Sequence, residues 1–181
     1  SKHHYPNLQI YFNPLTYSIT HKNKRPLLKT DKFNGFIIGY NSCRPKSLGR
    51  VALNSPNFND APLIDPNFLS HEEDIYDVKC AINFSQVLAN TNSIKKIRNE
   101  SVTHDLLNAT EEEMIDHFKS NAVSIYHPCG TCKMDEDPKK GVVSERLKVH
   151  GMENLWIADA SVFPNITSVS YTHLTLPTIT E

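Results

Sequence analysis

The residue best placed to do chemistry in this chain is His127, within Tyr126-His127-Pro128-Cys129-Gly130-Thr131-Cys132-Lys133-Met134. Pro128 confines His127 to extended backbone. Gly130 lets the backbone come close to a flat ligand, and Thr131 and Cys132 are small enough to leave space. An imidazole held in a turn, titrating near neutrality, suits general-base work. By residue type alone the same His could equally be structural or merely exposed. A second group is Asp159, which with Ala160 and Ser161 follows the apolar run 155–158. It reads either as a turn at the carboxyl end of a strand, where nucleotide cofactors commonly sit, or as an N-cap acid. The third candidate is the C-x-x-C formed by Cys129 and Cys132. Such a pair can be redox-active or half of a zinc site, with His127 and His150 available to complete a Cys₂His₂ set. Two features weigh against it. An acidic loop, Asp135-Glu136-Asp137-Pro138, follows in place of a helix start. No second C-x-x-C exists, and Cys43 and Cys80 stand alone.

Several elements must position these groups. Residues 8–12 read as a strand, and Lys22-Asn23-Lys24-Arg25-Pro26 as a polar turn. Residues 33–40 form an apolar strand whose two glycines allow a bulge. Arg44-Pro45-Lys46-Ser47-Leu48-Gly49 turns into a short strand over 50–53. The Asn-, Asp- and Pro-rich stretch 54–67 reads as loop. Ser70-His71-Glu72-Glu73 fits a capping box, after which Ile75, Val78, Ile82 and Ala89 give helical spacing to about Asn90. Thr110-Glu111-Glu112-Glu113 is a second capping box, with Met114, Ile115 and Phe118 as a packing stripe. A turn at 139–141 precedes Val142-Val143, and 155–158 reads as a buried strand. The sum is an α+β fold in which two helices cover an antiparallel sheet.

Composition narrows the function classes. Hydrophobic residues make up 39% and charged residues 22% of 181, as expected of one globular domain. With 19 basic and 20 acidic side chains spread along the chain, no nucleic-acid footprint is present. No apolar run reaches membrane-spanning length, so no transmembrane segment is expected. Cysteines at 43, 80, 129 and 132 are too few and too dispersed for a disulfide scaffold. Four N-x-Ser/Thr sequons (Asn83, Asn99, Asn108, Asn165) fall within what an Asn-rich chain yields by chance. There is no initiator Met and no targeting signal. Residues 8–12 read as a strand already under way, so the N-terminus reads as a break within a longer protein.

These segments together resemble the glucose-methanol-choline (GMC) family of flavin-dependent alcohol oxidoreductases. Arg44-Pro45-Lys46-Ser47-x-Gly49-x-Val51 is similar to its RPxSxGxV strand, and the run from Pro62 to Leu69 to its P-x-I-D-P-N-Y/F-L segment. The run from Tyr126 to Met134 resembles YHPVGTCRMG, with Cys129 in the place of the usual Val. The run from Gly141 to Gly151 resembles GVVDPRLRVHG, and the run from Leu155 to Pro164 resembles LRVVDASIMP. The wording is nearest to the choline-dehydrogenase-like branch, though insect glucose-dehydrogenase-like members share much of it. The resemblance implies a GMC substrate-binding domain, incomplete at both ends. It also implies FAD as cofactor and a primary alcohol as substrate, with oxygen or a quinone-type acceptor left open. His127 would be the acid/base and Asp159 with Ala160 would contact FAD. The family's G-x-G-x-x-G is absent, so the chain alone is expected to be inactive and to hold FAD only weakly. By analogy, a bacterial member would be cytoplasmic or peripheral to the inner membrane.

The resemblance stops at Ser168. The family's second catalytic Asn or His falls on Thr172, one position before His173. Residues 169–181 resemble a frame of a sequencing adapter, which makes 1–168 the catalytic portion and 169–181 a non-native tail. Two alternatives stand beside this reading: a C-x-x-C redox or zinc module, and a catalytically dead GMC paralogue.

Overall fold

A computed structural model describes residues 5–22, 25–100 and 109–167, and the side chains of 19–28 lie outside that description. In chain order the described elements are β1 (Leu8–Asn13), β2 (Tyr17–Lys22), β3 (Arg25–Thr30), β4 (Ile37–Ser42), β5 (Arg50–Ala52) and β6 (Leu63–Asp65), then α1 (Glu72–Ala89), α2 (Asn92–Ile97) and α3 (Glu111–Asn121), with a 3₁₀ turn at Ala160–Val162. The strands form three separate two-stranded antiparallel sheets, β1-β4, β2-β3 and β5-β6. The α+β class stands, but small paired ribbons replace the single sheet expected from the sequence. The chain divides into two compact units, Ser1–Ser42 with Asp77–Met114, and Cys43–Tyr76 with Ile115–Glu181.

In the first unit β1 and β4 pair in unbroken register from Leu8↔Ser42 to Asn13↔Ile37. The expected strand at 33–40 therefore begins later, and neither of its glycines makes a bulge. Phe12 stacks on Phe36 with ring centroids 5.3 Å apart. The sequence 17–30, read only as holding a polar turn, forms the β2-β3 hairpin with Tyr17 opposite Thr30. From Asp77 onward α1 buries Val78, Ala81 and Ile82, the i, i+3, i+4 stripe of a helix facing a core. Asp77 itself is buried. One of its oxygens accepts from Asn7 Nδ2 at 2.6 Å, and the other from Ser42 Oγ at 2.7 Å. A buried carboxylate is tolerable only with such partners, and these two tie the helix to the ends of β1 and β4. The Thr110 capping box forms as expected. The Thr110 amide donates to Glu113 Oε2 at 2.8 Å, and the Glu113 amide to Thr110 Oγ1 at 3.3 Å.

In the second unit β5 and β6 pair from Arg50↔Asp65 to Ala52↔Leu63. β6 lies in the stretch expected to be loop, because its partner strand rather than its own composition makes it extended. The helix start is also shifted. His71, not Ser70, caps α1, its ring Nδ1 accepting the Glu73 amide at 3.1 Å. Asp74, buried in the first turn, accepts the amides of Lys46 and Ser47 at 2.7 and 2.8 Å. Ser47 Oγ accepts the His71 amide at 3.1 Å. The RPxSxGxV segment is thereby fastened to the helix start. Gly49 has to be glycine, since a Cβ there would sit 2.2 Å from the Asp65 carbonyl oxygen.

Residues 122–167 contain no α-helix or named strand among those described. They fold around Val143, which is fully buried and bridges to both Met134 and Val149. The expected buried strand at 155–158 reduces to one bridge between Trp156 and Lys148. Leu155 and Trp156 are 45% and 54% exposed, so that stretch lies on the surface of its unit rather than in a core.

Candidate active site

His127 is half-buried, in the segment that leaves α3. Its predecessor Tyr126 has φ +61°, a left-handed conformation unusual for an aromatic residue, and Gly130 has φ +87°. For an L-residue the left-handed region costs about 1–2 kcal/mol, so surrounding bonds must hold Tyr126 there. One is local: the Tyr126 amide donates to Ser124 Oγ at 3.0 Å. Others lie downstream, where 130–134 runs alongside 161–163. The Cys132 amide donates to the Ser161 carbonyl at 2.9 Å, and the Met134 amide to the Val162 carbonyl at 2.9 Å. A Cβ built on Gly130 would stand 3.4 Å from the Phe163 carbonyl oxygen. The His127 turn and the segment that follows Asp159 are thus joined by backbone hydrogen bonds.

Asp159 caps the 3₁₀ turn. Its Oδ1 accepts the Ser161 amide at 2.8 Å and also the Ser161 hydroxyl. These two bonds stabilise the carboxylate and lower its pKa below the usual value. The N-cap reading of Asp159 is therefore correct as local structure. Ala160 follows half-buried, with its carbonyl accepting the Phe163 amide at 3.3 Å. The sequence reading missed Ser161 as the group that fixes Asp159, although the D-x-S spacing carries that signal. It also missed Tyr126, whose aromatic side chain gives no hint of a left-handed backbone.

Among the described residues no three His, Cys, Asp or Glu side chains converge as a metal site. His150 Nε2 instead lies 2.9 Å from the Asp135 carbonyl oxygen, closing the loop around Val143. All four cysteines are thiols rather than disulfides. His173 lies outside the described residues.

This fold of small ribbons and helices is shared with solved flavoenzyme oxidoreductases. The fold matches pyridoxine 4-oxidase from Mesorbium loti with a TM-score of 0.74 and 24% identity, over 92% of this chain and 31% of that one. It matches formate oxidase from Aspergillus oryzae, studied for its FAD modification, with a TM-score of 0.70 and 30% identity, over 81% of this chain and 26% of that one. The GMC oxidoreductase family model matches residues 45–177, and the chain belongs to that family. It is 36% identical to an alcohol dehydrogenase [acceptor] of Pseudomonas putida and 32% identical to an oxygen-dependent choline dehydrogenase of Cronobacter sakazakii, over 90% of its length in each case. The chain spans 28% of the length of these curated relatives. The family match extends past Ser168, where the motif-level resemblance breaks off. No described helix is long and apolar enough to cross a membrane.

Proposed function

We propose that this chain is the substrate-side catalytic portion of an FAD-dependent oxidoreductase that oxidises a primary alcohol, with His127 as the acid/base. The observation that carries this reading is the anchoring of the His127 turn to the segment after Asp159 through the Cys132 and Met134 amides. Bound FAD supplies the acceptor for the substrate's hydride. The residues present fit a flat cofactor at this edge: Gly130 is left-handed and Ala160 carries only a methyl, so neither side chain would obstruct it. Asp159 and Ala160 would provide the contact. With its carboxylate engaged by Ser161, Asp159 acts by fixing the backbone at Ala160.

The proton work falls to His127. A ring nitrogen accepts the hydroxyl proton as the hydride departs, which develops alkoxide character without releasing a free alkoxide into water. Pro128 on one side and left-handed Tyr126 on the other keep the imidazole from reorienting with its backbone. The electron acceptor is left open, because one relative is named for a generic acceptor and the other for oxygen.

In the whole enzyme, His127→Ala should lower kcat/KM by about 10²–10⁴-fold while leaving the absorbance of bound FAD unchanged. Unchanged turnover would remove His127 from the mechanism and favour a non-catalytic role for the site. The 181-residue chain alone has six glycines, none in a G-x-G-x-x-G run, and should fail to bind FAD stoichiometrically in a fluorescence titration.

A further inference from the structure

Among the described residues, the large apolar side chains most open to water cluster in one short stretch. Phe58 is 93% exposed, Leu53 88%, Leu48 82% and Phe68 71%, and all lie on or beside the β5-β6 ribbon. The ribbon is amphipathic. Cross-strand partners share a face and neighbours along a strand alternate, so Val51 and Ile64 stand together on one face. The opposite face carries the Arg50–Asp65 pair, 4.0 Å apart, beside Ala52 and Leu63. Val51 and Ile64 are exposed all the same, and among the described residues no third strand joins either edge. A two-stranded ribbon with a bare apolar face is marginal in water by itself. This one is nonetheless held firmly at both ends. Asn67 Nδ2 donates to the Leu48 carbonyl at 2.9 Å across its base, next to the Lys46 and Ser47 amides on Asp74. At the far end the loop is tied by its own polar groups. Ser55 Oγ donates to Asp60 Oδ2 at 2.5 Å, and the Asp60 amide to the Asn57 carbonyl at 3.1 Å. Phe58 sits inside that bonded loop with its ring almost bare. An exposed aromatic on an ordered loop has the form of an interface anchor, because its backbone is fixed before any partner arrives.

We propose that the β5-β6 ribbon is an intramolecular docking arm, with Phe58 as its anchor and Val51 and Ile64 as its apolar face. Its occupant is the part of the same polypeptide that lies outside these 181 residues. This rests on the proposed reading only in that the chain is one portion of a longer protein. The chain spans 28% of the length of its curated relatives, so a polypeptide of that size has further surface to offer in cis. Area favours such a tethered partner over a second copy. A stable dimer needs roughly 800 Å² and about 20–30 residues from each partner. An arm of 3 residues in each strand, with its loop, presents far less. Separate molecules also lose translational and rotational freedom on association, whereas a tethered surface has lost most of it already. Contacts too few to hold two chains together are then enough to seat an arm on its own protein. The Arg50–Asp65 pair stays on the outer face, where both groups remain largely exposed to water.

The test is carbene footprinting of the purified full-length protein, with labelled positions read by fragmentation mass spectrometry. Each residue's label is scaled to its uptake in the urea-unfolded chain, so no substitution is needed. Val51, Phe58 and Ile64 should lose most of their label on folding, whereas Arg50 and Asp65 should keep theirs. The protection should persist on dilution, in protein that light scattering shows to be monomeric. Label at Phe58 undiminished by folding would overturn the proposal. So would protection that fades on dilution, which marks a second copy, or protection that appears only when another protein is added. Flavin absorbance is read on the same sample. Full flavin content with a labelled Phe58 sinks the docking arm alone, and a protected Phe58 without flavin sinks the enzyme assignment alone.

Discussion

Replacing Asp74 with Ala removes the group that fastens the RPxSxGxV segment to the start of α1. Its carboxylate is buried and accepts two backbone amides, Lys46 at 2.7 Å and Ser47 at 2.8 Å. A hydrogen bond to a charged group contributes about 1.5–3 kcal/mol. Lys46 is exposed and Ser47 half-buried, so water can partly replace the carboxylate and the lower figure applies to each bond. The two together amount to about 3 kcal/mol of local stability, which is about a hundredfold in the opening equilibrium of the loop. Native-state hydrogen exchange reads this directly, because local opening governs the exchange of such amides. The Lys46 and Ser47 amides should exchange about a hundredfold faster in Asp74→Ala. The Asp135 amide, bonded to the Val143 carbonyl at 3.0 Å, should hold its rate as an internal control. Asp74→Asn keeps one acceptor oxygen and should deprotect one amide far more than the other. Equal, unchanged exchange at both amides in the Ala variant would refute this account of what holds the segment.

Further outcomes are expected elsewhere. Ser161→Ala removes the hydroxyl that bonds Asp159, so the Asp159 pKa should rise towards its ordinary value of 3.8, as followed by carboxyl-carbon NMR titration. Because the folded-state value is depressed in the parent chain, the Asp159 contribution is present above the unfolded pKa and is lost as pH falls through the folded one. Tyr40 behaves oppositely. Burial pushes its phenol up to about 12, so its stabilising effect holds below pH 10 and fades as pH rises towards 12; phenolate absorbance should show one late-titrating tyrosine. Gly141→Ala would put a Cβ 2.6 Å from the Asp135 backbone nitrogen and side chain. It should release the loop around Val143 and expose that loop to limited proteolysis.

Much of the local backbone geometry around His127 and Asp159 could be read from the sequence because its signals are local. Pro128 and Gly130 follow His127 closely, Thr110 and Glu113 cap α3 as their spacing predicts, and the D-A-S run begins where an apolar stretch stops. The misses share a physical cause, since they depend on partners distant in sequence. β6 is extended because Val51 lies opposite Ile64, yet the surrounding Asn, Asp and Pro read as loop. The β2-β3 hairpin carries too many polar residues for alternation to reveal it. The 155–158 run is apolar and therefore looked buried, but hydrophobic content alone does not fix burial. Ser70 satisfied the capping pattern, and the imidazole of His71 took its place because that ring nitrogen reaches the same amide. Which roles His127, Asp159 and Ala160 play depends on ligand contacts, and these leave no periodic trace in a sequence.

The left-handed backbone at Tyr126 bears on how this segment tolerates change. A residue held at φ +61° stores conformational free energy that glycine, or to a lesser degree asparagine, would not. A library varied at position 126 should therefore find that the most thermally stable members are the least tyrosine-like. If the side chain matters to turnover, those same members should be the poorest catalysts. Stability and activity would then pull this one position in opposite directions.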